Sequence, residues 1–541
     1  MRLDFVSEEF TEEEQAALAP HFTNIEGPVF ALVNLPEVVK GALFARYSRS
    51  AKSVRRLFLD EFLTGRTQGE PVGPDPTGVQ RAEALYERVF FEYGDDSVAQ
   101  LGGVHLACEQ ASQLLAKVLE WGRLAAYLEQ STRYLPYNDR PGGRWRYVVP
   151  GELEPLPEVA SKYRQTLDQA FETYARWLGP MVDYLREVHP QDPADSDFVY
   201  RMTIRAKACD ALRGLLPAAT RSNVGIFATA QAYEQLLLRM MAHPLEEVRG
   251  YADLMLAELR KVIPAFLTRV DIPDRGGAWV EYLRRTRQST ARVAAEALAG
   301  LTPRPRPEVT LTDFDPDGEL KMVAAALYAS SPLPDDQLLE VAREMSLEER
   351  AAVLGAYVGD RENRRHKPGR AFERTSYRFD LLCDYGAFRD LQRHRLLTLE
   401  WQPLTPDHGF EIPPEVEATG ADGDWNDVME RSAALFEDLR EAGVGEAAQY
   451  AVSMAYRIRF YMDMNAREAM HLIELRTTPQ GHPVYRRVCQ EMHRLIAEQA
   501  GHRAIAEAMT HADHSDVDLA RLQAERRTEA KRRSAGSPAA S

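Results

Sequence analysis

The stretch YGAFRDLQRHRLLTLEWQ, residues 385–402, has a counterpart earlier in the chain, QLLAKVLEWGRLAAYLEQ at residues 113–130. Two further pairs of similar segments flank these stretches, one before and one after them in each half. They are EVVKGALFARYSRS (37–50) with GELKMVAAALYASS (318–331), and AYEQLLLRM (232–240) with AMHLIELRT (469–477). Similar segments that recur in one common order indicate an internal duplication with a long period. We therefore predict two tandem domains built on one plan.

The proline-rich segment GLTPRPRPEVTLTDFDPDGEL, residues 300–320, is the predicted domain boundary, because X-Pro steps disfavour helix and suit an extended linker. A chain of 541 residues is also too long for one core. The predicted division is a first domain at 1–300, a linker at 301–318, a second domain at 319–525 and a tail at 526–541. The charged and then Ser/Ala/Pro-rich composition of that tail predicts disorder.

Helical patterns dominate the chain. Apolar residues three and four apart predict long helices at 98–130, 202–216, 226–243, 246–271, 376–400, 426–441, 446–476 and 484–509. Short β-prone stretches, FVSEEF (5–10), RYVVP (146–150) and EVTLTDF (308–314), indicate a modest sheet. The predicted fold class is α+β and helix-rich.

The bulk composition excludes some classes of protein. Apolar residues make up 45% and charged residues 27% of the chain, as in ordinary soluble proteins. The longest apolar runs are far shorter than a membrane span. The acidic start MRLDFVSEEFTEEEQ differs from a signal peptide, which is basic and then apolar. We therefore expect a cytoplasmic protein with no membrane partner.

A formal net charge of −16 argues against a nucleic-acid partner, because phosphate contacts need a basic surface. It leaves room for a local basic pocket that binds a small anionic ligand. The four cysteines are widely spaced and form no CxxC pair, which argues against a zinc ribbon. DFDPDG at 313–318 begins like a calcium loop, but Ala324 stands where that loop needs Glu, so no metal site is predicted.

Arg393, His394 and Arg395 lie inside a leucine-rich run, where such groups are costly to bury unless an anion or a dipole meets them. On one continuous helix, residues two apart point about 200° apart, so both arginines cannot grip one small anion. Either the ligand is extended, like a dinucleotide, or the helix ends here. The alternative is a helix end whose charges are simply solvated.

The segment NAREAMHLIELR carries a second set of polar residues on a helical pattern. Asn465 and Arg476 share one face because their spacing is almost three whole turns. Arg467 and His471 are four residues apart and form a pair on another face. These four side chains are either a ligand site or polar residues of an exposed surface.

A third set lies in LEQSTRYLP, where Glu129, Ser131 and Arg133 alternate just before the chain breaks from helix. Ser131 and Arg133 can donate hydrogen bonds to a phosphate, with the guanidinium binding through two nitrogens. The alternative is a capping and ion-pair cluster. Arg213 and Arg239 lie in apolar helical runs, so each needs an anionic partner or must extend towards water.

These motifs resemble the signature of the flavin-dependent thymidylate synthases, which runs RHRxxSxNExSxR in that family, often followed by Tyr. The first half keeps the end of this signature, Glu129 to Tyr134, but has Trp121 and Gly122 in place of the first Arg and the His. The second half keeps Arg393-His394-Arg395 but has Trp401, Pro403 and Thr405 at the positions of Glu129, Ser131 and Arg133, and Gln449 at the position of Arg213. The resemblance covers most of 35–270 and 318–495, so the chain resembles a tandem fusion whose two halves are eroded in complementary ways.

The resemblance implies FAD as cofactor, dUMP as substrate, and NADPH and methylenetetrahydrofolate as co-substrates. By the same resemblance, the flavin would be held by Arg393, His394, Arg395, Asn465, Arg467 and His471. The nucleotide would be held by Glu129, Ser131, Arg133 and Arg213, the last of which precedes a Leu-Pro step as in the family. Arg239 or Arg476, the arginines that end corresponding helices, would lie against the pyrimidine as catalytic residues.

Three functions remain open from the sequence. The chain is an active flavin-dependent thymidylate synthase, a flavoenzyme of the same fold that acts on another nucleotide or carbon donor, or a non-catalytic flavin- or nucleotide-binding paralogue. The family resembled here builds its sites between chains of a homotetramer. Two tandem domains supply two of those four units, so we expect a homodimer with C₂ symmetry. If each half keeps part of a site, the halves must face each other to complete it.

Overall fold

The computed structural model describes residues 8–47, 50, 52–62, 100–193 and 195–515. In this part of the chain the α-helices are α1 (Glu12–Leu18), α2 (Glu37–Tyr47), α3 (Val54–Leu57), α4 (Gln113–Leu119), α5 (Pro157–Val188), α6 (Asp197–Leu212), α7 (Ala230–Met241), α8 (Glu246–Leu259), α9 (Ala278–Ala297), α10 (Gly318–Tyr328), α11 (Asp335–Glu344), α12 (Leu347–Val358), α13 (Tyr385–Leu391), α14 (Pro414–Ala418), α15 (Asp422–Glu441), α16 (Gly445–Ala448), α17 (Ala466–Arg476), α18 (Pro483–Glu498) and α19 (Arg503–Glu507). The strands are β1 (Gly103–Ser112), β2 (Ala125–Glu129), β3 (Arg221–Thr229), β4 (Val309–Phe314), β5 (Ser376–Asp384), β6 (Thr398–Trp401) and β7 (Arg457–Asn465). No helix in these ranges is both long and apolar enough to cross a membrane.

The strands form two small sheets, one with the order β1-β3-β2 and one with the order β4-β5-β7-β6. In the larger sheet, β5 pairs with β7 in antiparallel register from Ser376 opposite Asn465 to Asp384 opposite Arg457. Side chains alternate between buried and more exposed along both strands, so one face of this sheet packs on helices. The predicted α+β, helix-rich class is confirmed.

The two halves repeat the same succession of elements, which confirms the predicted tandem domains. The strands β1 and β5 each lead into a seven-residue helix, α4 and α13, capped by Ser112 and Asp384 respectively. The nine-residue strands β3 and β7 each lead into a longer helix, α7 and α17, capped by Thr229 and Asn465. A polar cap at the same step of each half fixes where the strand stops and the helix begins.

The long helices predicted at 98–130 and 376–400 are wrong, although residues 98–99 lie outside the described ranges. Each interval holds a strand, a short helix and a second strand. In β5 the buried residues Tyr377, Phe379, Leu381 and Cys383 alternate along the strand. An alternating pattern also places apolar residues four apart, so the same residues match the spacing of a helix.

Other predicted elements need smaller corrections. The intervals 226–243 and 446–476 contain the strand residues of β3 and β7 before their helices, and the helix predicted at 246–271 ends at Leu259. The interval 484–509 is interrupted between α18 and α19, where Gly501 has a φ of 73°. EVTLTDF forms β4 as predicted, whereas RYVVP contributes only an isolated bridge between Tyr147 and Thr220. Residues 5–7 of FVSEEF and the tail at 526–541 lie outside the described residues, and residues 8–10 of FVSEEF are not in a strand.

The chain divides into two compact units that do not follow its order. The first comprises 1–109, 124–129 and 223–301, and the second comprises 110–123, 130–222 and 302–541. Part of the first half therefore belongs to the same unit as most of the second half. Residues 301–307 are exposed and lack regular structure, but β4 occupies 309–314 inside the predicted linker. The domain limits at 1–300 and 319–525 stay a prediction.

Within the second unit, α4 of the first half lies beside α13 of the second half. The Tyr385 hydroxyl donates to the backbone oxygen of Gln113 at 3.0 Å. The Gln392 amide donates to the backbone oxygen of Lys117 at 3.1 Å. Because both donors and both acceptors are buried, these hydrogen bonds fix corresponding helices of the two halves against each other.

Replacing Glu474 on α17 by Gln is expected to destabilise the second unit strongly. Arg361 donates two hydrogen bonds of 2.6 Å to its carboxylate, and both side chains are almost fully buried. The substitution leaves a buried guanidinium without its counter-charge, which costs about 3–5 kcal/mol. The measurement is the free energy of unfolding from chemical denaturation.

The matched control is Glu491→Gln. Arg494 also binds Glu491 through two nitrogens, but both side chains are exposed to solvent. An exposed pair is worth about 0–1 kcal/mol. Equal losses in the two variants would show that burial of the Arg361–Glu474 pair carries no special weight.

Candidate functional site

Arg133 and Arg213, both from the first half, converge on one carboxylate in the second unit. Asp210 lies in the last turn of α6, and Arg213 follows it three residues later where the helix tightens into the 3₁₀ turn Arg213–Leu215. Arg133 donates from Nε at 2.9 Å and from Nη2 at 2.7 Å to Asp210, and Arg213 Nε lies 3.6 Å from the same group. Burial alone would raise the pKa of Asp210, but Arg133 and its cationic neighbours hold it at about 2.

A second carboxylate, Asp390 near the end of α13, joins these residues to the second half. Arg213 Nη1 lies 3.9 Å from it, Arg476 Nη1 lies 3.8 Å from it, and Arg393 Nη1 lies 3.9 Å from it. Burial opposes ionisation, yet Arg476, Arg393, Arg133 and Arg213 together hold the pKa of Asp390 well below its usual range. Arginines of both halves therefore meet around two ionised aspartates.

Arg213 is the most enclosed of these arginines, with 3% of its surface exposed. Its Nη2 is buried and has no hydrogen-bond partner among the described residues. Gly386 allows this position, because a Cβ there would lie 3.0 Å from Arg213 Nε and 2.8 Å from Asp384 Oδ1. A buried N–H without a partner is costly, so an anionic ligand atom beside Nη2 would relieve that cost.

The first turn of α18 completes this cluster with the aromatic ring of Tyr485. The guanidinium carbons of Arg133 and Arg476 lie 5.9 and 5.4 Å from the ring centre of Tyr485. Arg133 also donates from Nη1 to the Tyr485 hydroxyl at 3.2 Å. Both cations therefore have a favourable aromatic face, which keeps their positively charged groups close together.

His482 caps α18 and lies on the other side of Asp210, with Nε2 3.9 Å from Oδ1. Burial lowers the pKa of His482 to about 3, so the ring is neutral. Its Nδ1 accepts from the Val484 amide at 3.3 Å, which leaves the proton on Nε2, the nitrogen nearest Asp210.

Four residues of this cluster are absent from the predicted site: Asp210, Asp390, His482 and Tyr485. Two of them had a readable signal, since a carboxylate stands three residues before an arginine in both DALR and DLQR. On a helix this spacing brings the two side chains together. His482 and Tyr485 reach the cluster only through contacts between distant parts of the chain, which no local pattern reveals.

His394 lies at the edge of this cluster and is almost fully buried. Arg476 donates from Nε to His394 Nε2 at 3.0 Å, so the proton of the ring is on Nδ1, which lies 3.1 Å from Glu468 Oε1. Burial lowers the pKa of His394 well below its usual range and raises the pKa of Glu468. The interaction is therefore a hydrogen bond from a neutral ring, and it fixes the tautomer.

His394, Glu468 and His471 present ligand atoms within 4.8 Å of one another, a spacing compatible with a metal ion. The surrounding charges oppose one, because Lys367, Arg395 and Arg467 are the main charged neighbours of Glu468 besides the histidine ring. Both nitrogens of His394 are also engaged in hydrogen bonds. The group fits an anion better than a cation.

The remaining predicted flavin residues belong to this second, cationic cluster. Asn465 caps α17 by accepting from the Glu468 amide at 2.9 Å. Arg467 donates to the backbone oxygen of Pro368 at 2.9 Å, which holds the loop that carries Lys367 against the helix. Burial lowers the pKa of Lys367 and lowers that of His471 to about 4. The sequence analysis assigned no role to Lys367.

Three predicted site residues are placed differently. Ser131 accepts from the Arg133 amide at 3.2 Å, so its hydroxyl shapes the turn that carries Arg133. Glu129 and Arg239 belong to the first unit, so the cluster described in the second unit contains neither. Burial lowers the pKa of Arg239, which lies near Tyr127 of the same unit.

The signature positions that each half has lost form a second set, and aromatic rings stand at two of them. Trp121 stands at the signature position of Arg393, and Trp401 stands at the position of Glu129. Their rings meet edge to face at 5.5 Å, and Phe388 lies 5.6 Å from Trp401. Trp121 also donates to the backbone oxygen of Leu399 at 3.3 Å. Large apolar rings occupy positions where the intact signature has charged side chains.

The family model described as thymidylate synthase complementing protein matches the sequence at residues 42–265 and 310–501. One matched segment lies in each half, as the duplication requires. A UPF0159 protein of Chlamydia muridarum is 38% identical over 531 residues, which cover 96% of this chain and 99% of that protein. A UPF0159 protein of Thermoplasma acidophilum is 30% identical over 526 residues, which cover 91% of this chain and 99% of that protein.

A protein of Thermococcus onnurineus named flavin-dependent thymidylate synthase is 24% identical over 170 residues, which cover 31% of this chain and 59% of that protein. The family match, by contrast, extends over most of the sequence in two successive segments. The chain therefore belongs to the thymidylate synthase complementing protein family, in a form that carries two tandem copies of the family's domain.

Proposed function

We propose that the protein is a flavin-dependent thymidylate synthase that converts dUMP to dTMP, with FAD as cofactor and with methylenetetrahydrofolate and NADPH as co-substrates. The observation that carries this proposal is the meeting of Arg133 and Arg213 with Arg393 and Arg476 around two aspartates. Arg133 and Arg213 come from motifs that the first half kept, and Arg393 and Arg476 come from motifs that the second half kept. Membership of the family supports the reaction class.

In this proposal the dUMP phosphate binds beside Arg213 and Arg133. Arg213 offers a buried Nη2 without a hydrogen-bond partner among the described residues, and phosphate is the anion that guanidinium groups recognise best. Arg476 would face the pyrimidine and stabilise negative charge that develops on its ring. Such stabilisation is strongest where water is excluded, and the side chain of Arg476 is only 15% exposed.

In this proposal the flavin dinucleotide binds beside His471 and Glu468. Lys367, Arg395 and Arg467 supply the positive charge that a pyrophosphate needs. Arg393, His394, Arg395, Asn465, Arg467 and His471 would hold the cofactor, which supplies the redox chemistry when bound. His394, fixed between Glu468 and Arg476, would link the flavin pocket to the nucleotide pocket.

A second candidate is a flavoenzyme of the same fold that acts on another nucleotide or carbon donor. The incomplete signature of each half favours it, because Trp121 and Gly122 replace its first Arg and His in the first half and Trp401, Pro403 and Thr405 replace its last residues in the second. A non-catalytic paralogue that only binds these ligands would share the same pockets. Growth separates the candidates: expression in a thymidine auxotroph should restore growth without thymidine if the first is right.

The chain is expected to bind FAD. Purified protein should release flavin on denaturation, and Arg393→Ala should weaken retention about ten- to a hundredfold, because one charge-assisted contact is lost. Arg123→Ala is the control, since Arg123 belongs to the eroded signature and donates to the Thr398 hydroxyl. Protein that is colourless and takes up no added FAD would contradict the expectation.

Nucleotide affinity is expected to depend on the first-half arginines. In calorimetric titrations with dUMP, Arg133→Ala and Arg213→Ala should each bind about ten- to a hundredfold more weakly than wild type. Arg378→Ala is the control, because that side chain pairs with Asp463 and is well exposed. Unchanged affinity in both site variants would place the nucleotide elsewhere.

We also propose a homodimer in which each chain carries one complete site. The support is that residues of both halves meet inside the second unit, whereas Trp121 and Trp401 fill the complementary positions. Light scattering should give the mass of two chains, and released flavin should equal one per chain. Two flavins per chain would contradict the proposal that each chain has one complete site. The mass of a single chain would contradict the proposed homodimer.

A further inference from the structure

Asp210 binds the side of Arg133 that is best suited to a phosphate. Arg133 uses Nε and Nη2 together on the two carboxylate oxygens of Asp210, at 2.9 and 2.7 Å. A planar guanidinium offers the same paired donors to a phosphate as to a carboxylate. A phosphate and Asp210 cannot both take this pair of donors.

Arg133 makes two further hydrogen bonds. Nη1 donates to the Tyr485 hydroxyl at 3.2 Å, and Nη2 makes a longer contact of 3.4 Å with the backbone oxygen of Gln480. Arg213 differs, since its Nη2 has no hydrogen-bond partner among the described residues. A phosphate that binds Nη2 of Arg213 would therefore approach Arg133, whose guanidinium is already paired with Asp210.

The other aspartate of the cluster is placed differently. The carboxylate of Asp390 lies 3.8 to 3.9 Å from Arg476, Arg213 and Arg393, beyond hydrogen-bond distance of each. Its charge is thus shared, whereas Asp210 is committed to one guanidinium. Asp210 is the carboxylate of this pair with the geometry of a bound ligand.

We propose that Asp210 is an internal counter-anion that occupies Arg133 while the site is empty and competes with the phosphate of an incoming phosphate monoester. The proposal rests on the proposed function for the location of the nucleotide site. Without Asp210, the buried Arg133 and Arg213 would keep only the charge of Asp390, which they share with Arg393 and Arg476, and this is unfavourable. With it, part of the binding free energy is used to separate the Arg133–Asp210 pair.

The test is Asp210→Asn, which keeps the shape of the side chain and removes its charge. Inorganic phosphate and dUMP are titrated separately into wild type and variant by calorimetry. The variant should bind both at least about tenfold more tightly, since like charge near a bound anion is removed. Deoxyuridine, which lacks the phosphate, should show no gain. Asp463→Asn, a surface aspartate paired with Arg378, should also show none.

A second readout is thermal unfolding of the same proteins. Without ligand, Asp210→Asn should unfold at a lower temperature than wild type, because the charge of the Arg133–Asp210 pair is lost and only Asp390 remains to neutralise both arginines. Added phosphate should then raise the unfolding temperature of the variant more than that of wild type. If Asp210→Asn does not fold, as judged by circular dichroism, Asp210→Ser takes its place in both measurements.

The outcomes separate this inference from the proposed function. Weaker phosphate binding by Asp210→Asn would overturn the inference, because Asp210 would then be holding Arg133 in position for the ligand. Equal binding would overturn it as well. If wild type binds no dUMP, the proposed function fails, yet a gain of inorganic phosphate binding in the variant would still support the internal counter-anion. No phosphate binding in the variant would overturn it.

Discussion

The charge balance between Arg133, Arg213, Asp210 and Asp390 is the constraint on which the candidate site depends. Buried guanidinium groups are tolerable only when carboxylates or ligand anions neutralise them. Asp210 does this within the first half, and Asp390 extends the same network to Arg476 of the second half. The network therefore gives a physical reason why residues 130–222 belong to the same compact unit as most of the second half.

The duplication provides two equivalent sets of signature positions, and different kinds of side chain occupy them. One set holds charged side chains around Arg213, while in the other the ring of Trp401 contacts the rings of Trp121 and Phe388. Replacing charge by large rings removes the need for a buried counter-anion and contributes apolar burial instead. A fused chain can lose one site in this way, because its other half still supplies the partners of the remaining site.

Much of this organisation could be predicted from local sequence, and the errors have a common cause. The paired segments and the complementary loss of motifs follow directly from residue order. The residues of β5, by contrast, also match a helical pattern, because an alternating strand has apolar residues four apart. Asp210 and Asp390 could have been found from their spacing to Arg213 and Arg393. Tyr485 could not, since its contact with Arg133 joins residues 352 positions apart.

A crystal structure of the protein with bound dUMP tests the central claim most directly, because it locates the phosphate. We expect phosphate oxygens within hydrogen-bond distance of Arg213, with Arg476 beside the pyrimidine and with one nucleotide in each chain. We also expect that Arg133 has exchanged Asp210 for the phosphate. Nucleotide density away from Arg213, or beside Trp121 and Trp401, would contradict a single site built from both halves of the chain.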